Sequence, residues 1–384
     1  MTAPLDSLRL LVAADEKLRA ELDAAETTDA FLAAALALAA RHGLALQPAD
    51  LAPLVAPDPL GLTGHLAPPL RCGDWPPDSW LPCRLAADGD GQIAVDWADF
   101  GEMPLDGIFH SAAVRGALER PLNRLLHCRL SLADFLRGAP DGLRAPDGFV
   151  FHMSRCGSTL VARLLAALPD SYVINEAGPI DTLLQVSAGA PEEVRAAALR
   201  AMVGALGRRP SRRWFVKLSA WPALELPLFR RAFPNVPWIF IHREPAAVIA
   251  SQMRSRAPEL APAFTPSALF GIEDGGALPD EVYCARALAR LCEAALASEG
   301  GAFVDHADLP EAFPDVILPH FGIDPAAVPR PRLGDIARRH AKHPDTLYRP
   351  DDAPIEPAVR AAADGRLANL HARLGAVRGG KTLL

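Results

Sequence analysis

Residues 149–168, FVFHMSRCGSTLVARLLAAL, join a short apolar run to an amphipathic run through a Ser-Arg-Cys-Gly-Ser-Thr turn. The first backbone N–H groups of a helix have no intrahelical partner and lie at the positive end of the helix dipole. A phosphate or sulfate placed there gains hydrogen bonds and charge compensation together. Gly157 permits close approach of the backbone, and Arg155 adds a permanent positive charge. The pattern predicts an anion site in which Ser158 and Thr159 supply hydroxyl donors.

A second junction of this kind occupies residues 238–253, WIFIHREPAAVIASQM, where an apolar run again leads into a helical pattern. Arg243, Pro245, Val248 and Ser251 have the spacing R-x-P-x-x-V-x-x-S. Proline suits the first turn of a helix, and Arg243 follows a strand at the end where parallel sheets collect their ligands. We therefore expect Arg243 and Ser251 to face a ligand.

Neither turn is the loop of the nucleoside-triphosphate-binding proteins. That loop has the spacing G-x-x-x-x-G-K-[ST], with a lysine directly before the hydroxyl residue, whereas Gly157 directly precedes Ser158 here. Either turn alone also fits a plain tight turn with a solvated arginine. The presence of both, each between a strand and a helix, favours a binding site over that alternative.

The two motifs together resemble those of the sulfotransferases that use 3'-phosphoadenosine 5'-phosphosulfate (PAPS). In that superfamily the pattern strand, [RK]-x-G-[ST]-T, helix forms the first loop, and FHMSRCGSTL is similar to a bacterial branch. The resemblance implies a P-loop-type parallel sheet flanked by helices, with PAPS as co-substrate and no metal. It implies that the donor's 5'-phosphosulfate is held by Arg155, Cys156, Gly157, Ser158 and Thr159, and its 3'-phosphate by Arg243 and Ser251.

Three further residues are candidates for the chemistry. The segment NEAGPID resembles the end of the second strand in many members, where a glutamate takes the acceptor's proton, so Glu176 is the expected general base. The alternatives are that Glu176 only flanks a helix, or that His152 is the base, although a histidine inside a strand is more often packed. Lys217 resembles the lysine that ends the third strand and could neutralise the departing bridging oxygen; otherwise it is a surface lysine.

Two weaker candidates complete the site. The segment ARRHAKHPDTLYRPDD resembles the last donor-binding loop of the superfamily, and Lys342 is its candidate ligand. The usual R-K-G signature is absent, and a solvated basic helix end is the alternative. Cys156 lies in the first turn, where the helix start and Arg155 could lower its pKa and make it a nucleophile. A structural role is the preferred interpretation, because the resemblance implies that this middle position of the loop tolerates many residues.

The elements that must position these residues alternate between strand and helix. Alternation of this kind predicts a parallel sheet flanked by helices, with ligands at the carboxyl ends of the strands. Residues 257–279 form a long connection that suits a substrate loop. The predicted strands are residues 149–153, 172–175, 214–218, 238–242 and 302–305.

The chain divides into three parts in this prediction. Residues 1–52 read as a module of short helices and resemble the nif-associated leader peptide family, which implies a peptide partner or self-association; a plain helical extension is the alternative. Residues 53–145 combine a Pro- and Gly-rich linker with a small mixed α+β region. Residues 146–384 form the sulfotransferase-like α/β domain.

Composition excludes several classes of protein. The 384 residues carry a formal net charge of −7, which argues against a partner bound mainly through nucleic-acid phosphates. The six cysteines include no C-x-x-C pair, so we expect reduced thiols. The sequence has no signal peptide and no apolar run of the ~20 residues that a membrane span requires, so we expect a cytoplasmic location.

These observations predict an enzyme that transfers the sulfuryl group of PAPS to a hydroxyl, or to an amine, of a small-molecule or peptide acceptor. The alternative is a non-catalytic nucleotide-binding protein that docks a peptide partner through its N-terminal helices. The motifs around Arg155 and Arg243 indicate nucleotide binding but not turnover, so they do not decide between an enzyme and a non-catalytic binding protein.

Overall fold

The structure is a computed structural model of the chain. It describes residues 4–57, 69–87, 90–105, 109–263, 265–328, 330–341, 343–347 and 354–377. The chain forms two compact units, one made of residues 1–104 and 111–143 and the other of residues 105–110 and 144–384. In the described ranges, none of the helices has both the length and the apolar character needed to cross a membrane.

The first unit begins with four short helices. They are α1 (Pro4–Ala14), α2 (Glu16–Asp23), α3 (Thr28–Arg41) and α4 (Pro48–Val55). The buried side chain of Arg9 in α1 donates hydrogen bonds to the carbonyl oxygens of Leu125 (2.8 Å) and Leu126 (3.1 Å). The N-terminal helices therefore pack in the same unit as the middle region.

The middle region adds a four-stranded sheet and three short helices to this unit. Its strands are β1 (Leu70–Arg71), β2 (Trp80–Ala87), β3 (Ile93–Asp99) and β4 (Cys128–Ser131), in the order β1-β4-β3-β2. Its helices are α5 (His110–Glu119), α6 (Pro121–Leu126) and α7 (Leu132–Arg137). Pro121 starts α6, where its missing N–H costs no hydrogen bond.

Two of the six cysteines form a disulfide, which corrects the expectation of reduced thiols throughout. Strand pairing places Leu70 opposite Cys128, so Cys72 and Cys128 come within a Cα–Cα distance of 6.3 Å and are bonded. They lie 56 residues apart in the sequence, and no local pattern marks such a pair.

The second unit is built on a five-stranded sheet in which all neighbouring strands are parallel. Its strands are β5 (Gly148–His152), β6 (Ser171–Asn175), β7 (Arg213–Lys217), β8 (Trp238–His242) and β9 (Gly301–Asp305), in the order β6-β7-β5-β8-β9. Each predicted strand agrees with an observed one to within one residue at either end. Most strand residues are buried, because helices cover the sheet and its strands can be apolar on both faces. The expected α/β architecture, a parallel sheet flanked by helices, is confirmed.

Helices connect these strands and complete the unit. They are α8 (Ser158–Ala166), α9 (Gly178–Val186), α10 (Glu192–Leu206), α11 (Leu226–Ala232), α12 (Pro245–Arg254), α13 (Asp280–Leu296), α14 (Leu318–His320), α15 (Arg330–Ala337), α16 (Pro357–Ala363) and α17 (Arg366–Ala376). A hairpin of β10 (Arg339–His340) and β11 (His343–Leu347) lies between α15 and α16. In the expected substrate loop, residues 257–279, the described residues include the 3-10 turns Pro258–Leu260, Ser267–Phe270 and Gly275–Ala277.

The strand order defines one place in the sheet where a ligand is favoured. The chain leaves β5 toward β6 on one side and leaves β8 toward β9 on the other, although β5 and β8 are neighbours. Right-handed crossovers then put the two following connections on opposite faces. A crevice opens at such a switch point, outside the carboxyl ends of the two strands. Both motif turns start at these ends.

Candidate anion-binding site

The turn after β5 has an unusual backbone. Ser154 and Arg155 have φ values of 68° and 49°, and Gly157, which precedes α8, has a φ of 85°. Left-handed conformations are unfavourable for residues other than glycine and collect at functional sites. Of the five non-glycine residues with positive φ in the described ranges, three follow β5 or β6, the third being Glu176. Backbone strain is therefore concentrated at this edge of the sheet.

His152 holds the first turn in place. Its Nδ1 accepts the backbone N–H of Ser154 at 2.9 Å, and its Nε2 lies 2.8 Å from the carbonyl oxygen of Leu218. A carbonyl oxygen can only accept, so Nε2 carries the proton and the imidazole is neutral. Both nitrogens of this buried ring are engaged, which agrees with a packed strand histidine and leaves it poorly suited to act as a base.

The thiol of Cys156 points beneath the turn. It is fully buried, and its Sγ donates to the carbonyl oxygen of Ile241 in β8 at 3.1 Å. Burial raises the pKa of Cys156 to about 12, and this desolvation outweighs the opposing charges of Lys217 and Arg243. A thiol of raised pKa is poorly suited to the alternative role of nucleophile, and Cys156 can contact a ligand only through its backbone.

Gly157 is required for two reasons. Its φ of 85° disfavours a side chain, and a Cβ there would lie 3.0 Å from Cδ2 of His306 and 3.1 Å from Cδ1 of Leu309. The backbone of the turn is thus in close contact with the segment that follows β9. Sequence reasoning missed His306, because nothing near it in the sequence marks it as part of this site. Ser158 and Thr159 form the first turn of α8 and are buried.

The second turn lies directly against the first. Nη1 of Arg243 lies 3.3 Å from the carbonyl oxygen of Arg155, and the backbone N–H of Arg243 lies 3.3 Å from Sδ of Met153. The guanidinium of Arg155 contacts the carbonyl oxygen of Ser255 and, at 3.1 Å, its hydroxyl. Ser251 is half-buried one turn earlier in α12. The structure therefore brings the arginines of the two predicted motifs together at the switch point.

Gln252 links the first turn to the segment that follows α12. Its fully buried side chain donates to Oγ of Ser154 at 3.0 Å and accepts the backbone N–H of Ala257 at 2.8 Å. A buried amide with both ends bonded fixes the groups that it joins. Gln252 thus couples the first turn to α12 and to the start of the expected substrate loop, a role with no signal in the sequence.

Glu176 and Lys217 form an ion pair beside the first turn. They sit at the ends of β6 and β7, and the Glu176 backbone N–H donates to the Lys217 carbonyl oxygen at 2.7 Å. Nζ of Lys217 contacts Oε1 of Glu176. The lysine side chain is 1% exposed and the glutamate side chain 27%, so only the carboxylate is accessible from outside. Two of the three residues predicted to be catalytic are therefore in direct contact; the third is Arg155, in the first turn.

Two further carboxyl groups, absent from the predicted site, lie in the same neighbourhood. Asp181 in α9 accepts a hydrogen bond from Oγ of Ser219 at 2.6 Å, and Glu259 accepts the backbone N–H of Ala220 at 3.2 Å. Burial raises the pKa of Asp181 to about 7, and the charges of Glu259 and Glu176 add to the rise. Burial and the charge of Glu176 also raise the pKa of Glu259. Asp181 and Glu259 thus form an acidic pair close to Glu176.

The remaining predicted residue, Lys342, lies outside the described residues, and its place in the site stays a prediction.

The sequence matches none of the models of known protein families. No curated protein gives a significant match either. Any assignment of function therefore depends on the site itself.

Proposed function

We propose that this protein is a PAPS-dependent sulfotransferase with a P-loop-type fold. The observation that supports this most strongly is the contact of Arg243 with the carbonyl oxygen of Arg155. The two motifs that resemble the superfamily were identified separately in the sequence, and their turns adjoin at a switch point. One ligand with two anionic groups could contact both turns at once.

The charges of this edge suit such a ligand. Arg155 and Arg243 are both half-buried, so their attraction for an anion is screened less than that of exposed arginines. Nε of Arg155 is buried and has no hydrogen-bond partner among the described residues. Buried donors without a partner are uncommon in folded proteins and call for an explanation, which a bound phosphosulfate would provide. The net charge of −7 does not oppose this, because the positive charge is local.

In the proposed reaction an acceptor oxygen or nitrogen attacks the sulfur of PAPS in line with the bridging oxygen. A new bond to sulfur forms, the bond from sulfur to the bridging oxygen breaks, and the electron pair stays on the phosphate of 3'-phosphoadenosine 5'-phosphate (PAP). Arg155 and the backbone N–H groups of the turn stabilise that oxygen. Glu176 receives the acceptor's proton.

The ion pair gives Lys217 and Glu176 linked roles in this scheme. Contact with Lys217 fixes the position of the Glu176 carboxylate at the edge of the sheet. As negative charge develops on the bridging oxygen, the positive charge of Lys217 helps to neutralise it. The acceptor then lies between Glu176 and the turn. The proposed acceptor is a small molecule or a peptide, and the proposed location is the cytoplasm.

Calorimetry with three nucleotides tests the proposed donor class. PAP and adenosine 5'-monophosphate differ only in the 3'-phosphate. PAP should therefore bind more tightly by roughly ten- to a hundredfold, because one or two charge-assisted hydrogen bonds to that phosphate raise the affinity by about this factor. Adenosine 5'-triphosphate with magnesium should bind more weakly than PAP. Equal affinity for PAP and the monophosphate, or a preference for the triphosphate, would overturn the assignment.

A further inference from the structure

A second cluster of polar side chains lies at the far side of the same sheet edge. His242 is the last residue of β8 and Asp305 the last residue of β9, and the two are paired in register. His371 reaches them from α17. Nε2 of His371 lies 3.4 Å from Oδ2 of Asp305, and Nδ1 of His242 lies 3.8 Å from the same oxygen. One ligand atom from each residue falls within 4.8 Å of the others.

These separations are close to those of metal ligands. Zinc bonds of ~2.1 Å at tetrahedral angles set neighbouring ligand atoms ~3.4 Å apart. The His371–Asp305 distance already has this value, and small side-chain rotations would bring His242 to it. The centroids of the His242 and His371 rings are 5.0 Å apart, and the ring planes are inclined at 75° to each other. Both rings can therefore direct a nitrogen toward one point without stacking.

We propose that His242, Asp305 and His371 form a binding site for a divalent transition metal, with zinc as the preferred ion. Two imidazoles and one carboxylate are borderline ligands that suit zinc and its neighbours in the first transition row, whereas magnesium and calcium prefer oxygen ligands alone. Three protein ligands leave a fourth position for water or another ligand.

The surroundings of the cluster support a built site. The backbone N–H of Ala307 donates to Oδ1 of Asp305 at 2.9 Å, which fixes the carboxylate and leaves Oδ2 directed at the histidines. His242 is fully buried, while the side chains of Asp305 and His371 are 12% and 22% exposed. An ion can therefore enter from the side of α17.

The metal site is independent of the proposed sulfuryl transfer. The ion would join α17 to the ends of β8 and β9, directly beside Arg243, which follows His242 in the chain. Its expected effect is to hold this end of the sheet rigid. His242, Asp305 and His371 are far apart in the sequence and come together only in the fold. No short metal-binding motif in the sequence therefore indicates them.

The test is a zinc titration of full-length protein that has first been treated with a chelator. Calorimetry should show one zinc ion per chain, with a Kd of about 1 µM or tighter. His371→Ala and Asp305→Asn should each weaken zinc binding at least about a hundredfold, since even an indirect partner of a ligand is worth up to that factor. His42→Ala, which removes an exposed histidine elsewhere, is the matched control and should bind like the wild type.

Cobalt titration of the wild type supplies a second readout that needs no variant. Bound Co²⁺ should develop the visible absorption of a tetrahedral site with nitrogen and oxygen ligands, and zinc should displace it. Unfolding curves recorded in chelator show whether each variant is folded. The proposal fails if the wild type binds neither ion, or if folded His371→Ala binds zinc as tightly as the wild type.

Discussion

Nη1 of Arg243 lies 3.3 Å from the backbone carbonyl oxygen of Arg155, so the turn after β8 rests on the turn after β5. This contact joins two segments that are far apart in the sequence, because β6 and β7 lie between them in the chain. It also constrains any ligand, since an anion bound by the first turn has the guanidinium of Arg243 beside it. The proposed function requires such an arrangement.

Replacing Arg243 with alanine should weaken binding of PAP by about ten- to a hundredfold, because a hydrogen bond to a charged group contributes about 1.5–3 kcal/mol. Affinity for adenosine 5'-monophosphate should change much less, since the proposed partner of Arg243 is the 3'-phosphate. Isothermal titration calorimetry with both nucleotides measures the two effects.

The matched control for that variant is Arg212→Ala. Arg212 is exposed and directly precedes β7, so it lies at the opposite edge of the sheet and carries the same charge. Its backbone N–H bond to Asp170 does not depend on the side chain. An equal loss of PAP affinity in both variants would mean that Arg243 acts only through the overall charge of the protein.

Glu176→Gln should slow sulfuryl transfer by about 10²–10⁴-fold, the usual contribution of a general base, and leave PAP affinity nearly unchanged. Single-turnover transfer from ³⁵S-labelled donor measures the rate once an acceptor is in hand. Glu225→Gln is the control, because Glu225 also forms an ion pair, with Arg195 at 2.9 Å, and its side chain is 25% exposed. A Glu176→Gln enzyme that retains the wild-type rate would remove this residue from the role of base.

Asp181 should make the protein less stable as the pH rises. The pKa of this carboxyl is about 7 in the folded protein, whereas the unfolded value is about 3.9. Between these values the folded state keeps a proton that the unfolded chain has lost, so the free energy of unfolding falls from about pH 4 to pH 7.

Asp181→Asn should remove that dependence, because asparagine does not titrate. At about pH 8 the variant should exceed the wild type by about 1–3 kcal/mol, and near pH 4 the difference should vanish. Denaturant unfolding at both pH values measures this, with the exposed Asp315→Asn as control. A variant less stable than the wild type at both values would show that the Ser219 hydrogen bond dominates over desolvation.

The strands of the second unit could be predicted closely from the sequence, because five short apolar runs alternate with helical patterns and each run is buried in the sheet. The two turns could be predicted for a related reason. The features that predict an anion site, such as Gly157 close to Arg155, are neighbours in the chain. A site built from residues that are adjacent in the chain can be recognised from a short sequence motif.

The features that sequence reasoning missed depend on contacts between distant segments. Asp181 and Glu259 become an acidic pair only because α9 and the turn after α12 meet at one edge. His306 belongs to the site through its contact with Gly157. The sequence alone could not decide whether the pKa of Cys156 is raised or lowered, because the position of its side chain relative to the sheet determines its solvation, and that position is tertiary information.

A crystal structure of the protein with PAP would show whether one ligand contacts both turns. We expect one nucleotide per chain, with its 5'-phosphate on the backbone of residues 155–159 and its 3'-phosphate within hydrogen-bond distance of Arg243 and Ser251. A nucleotide that contacts only one of the two turns, or that binds elsewhere with both turns facing solvent, would contradict it.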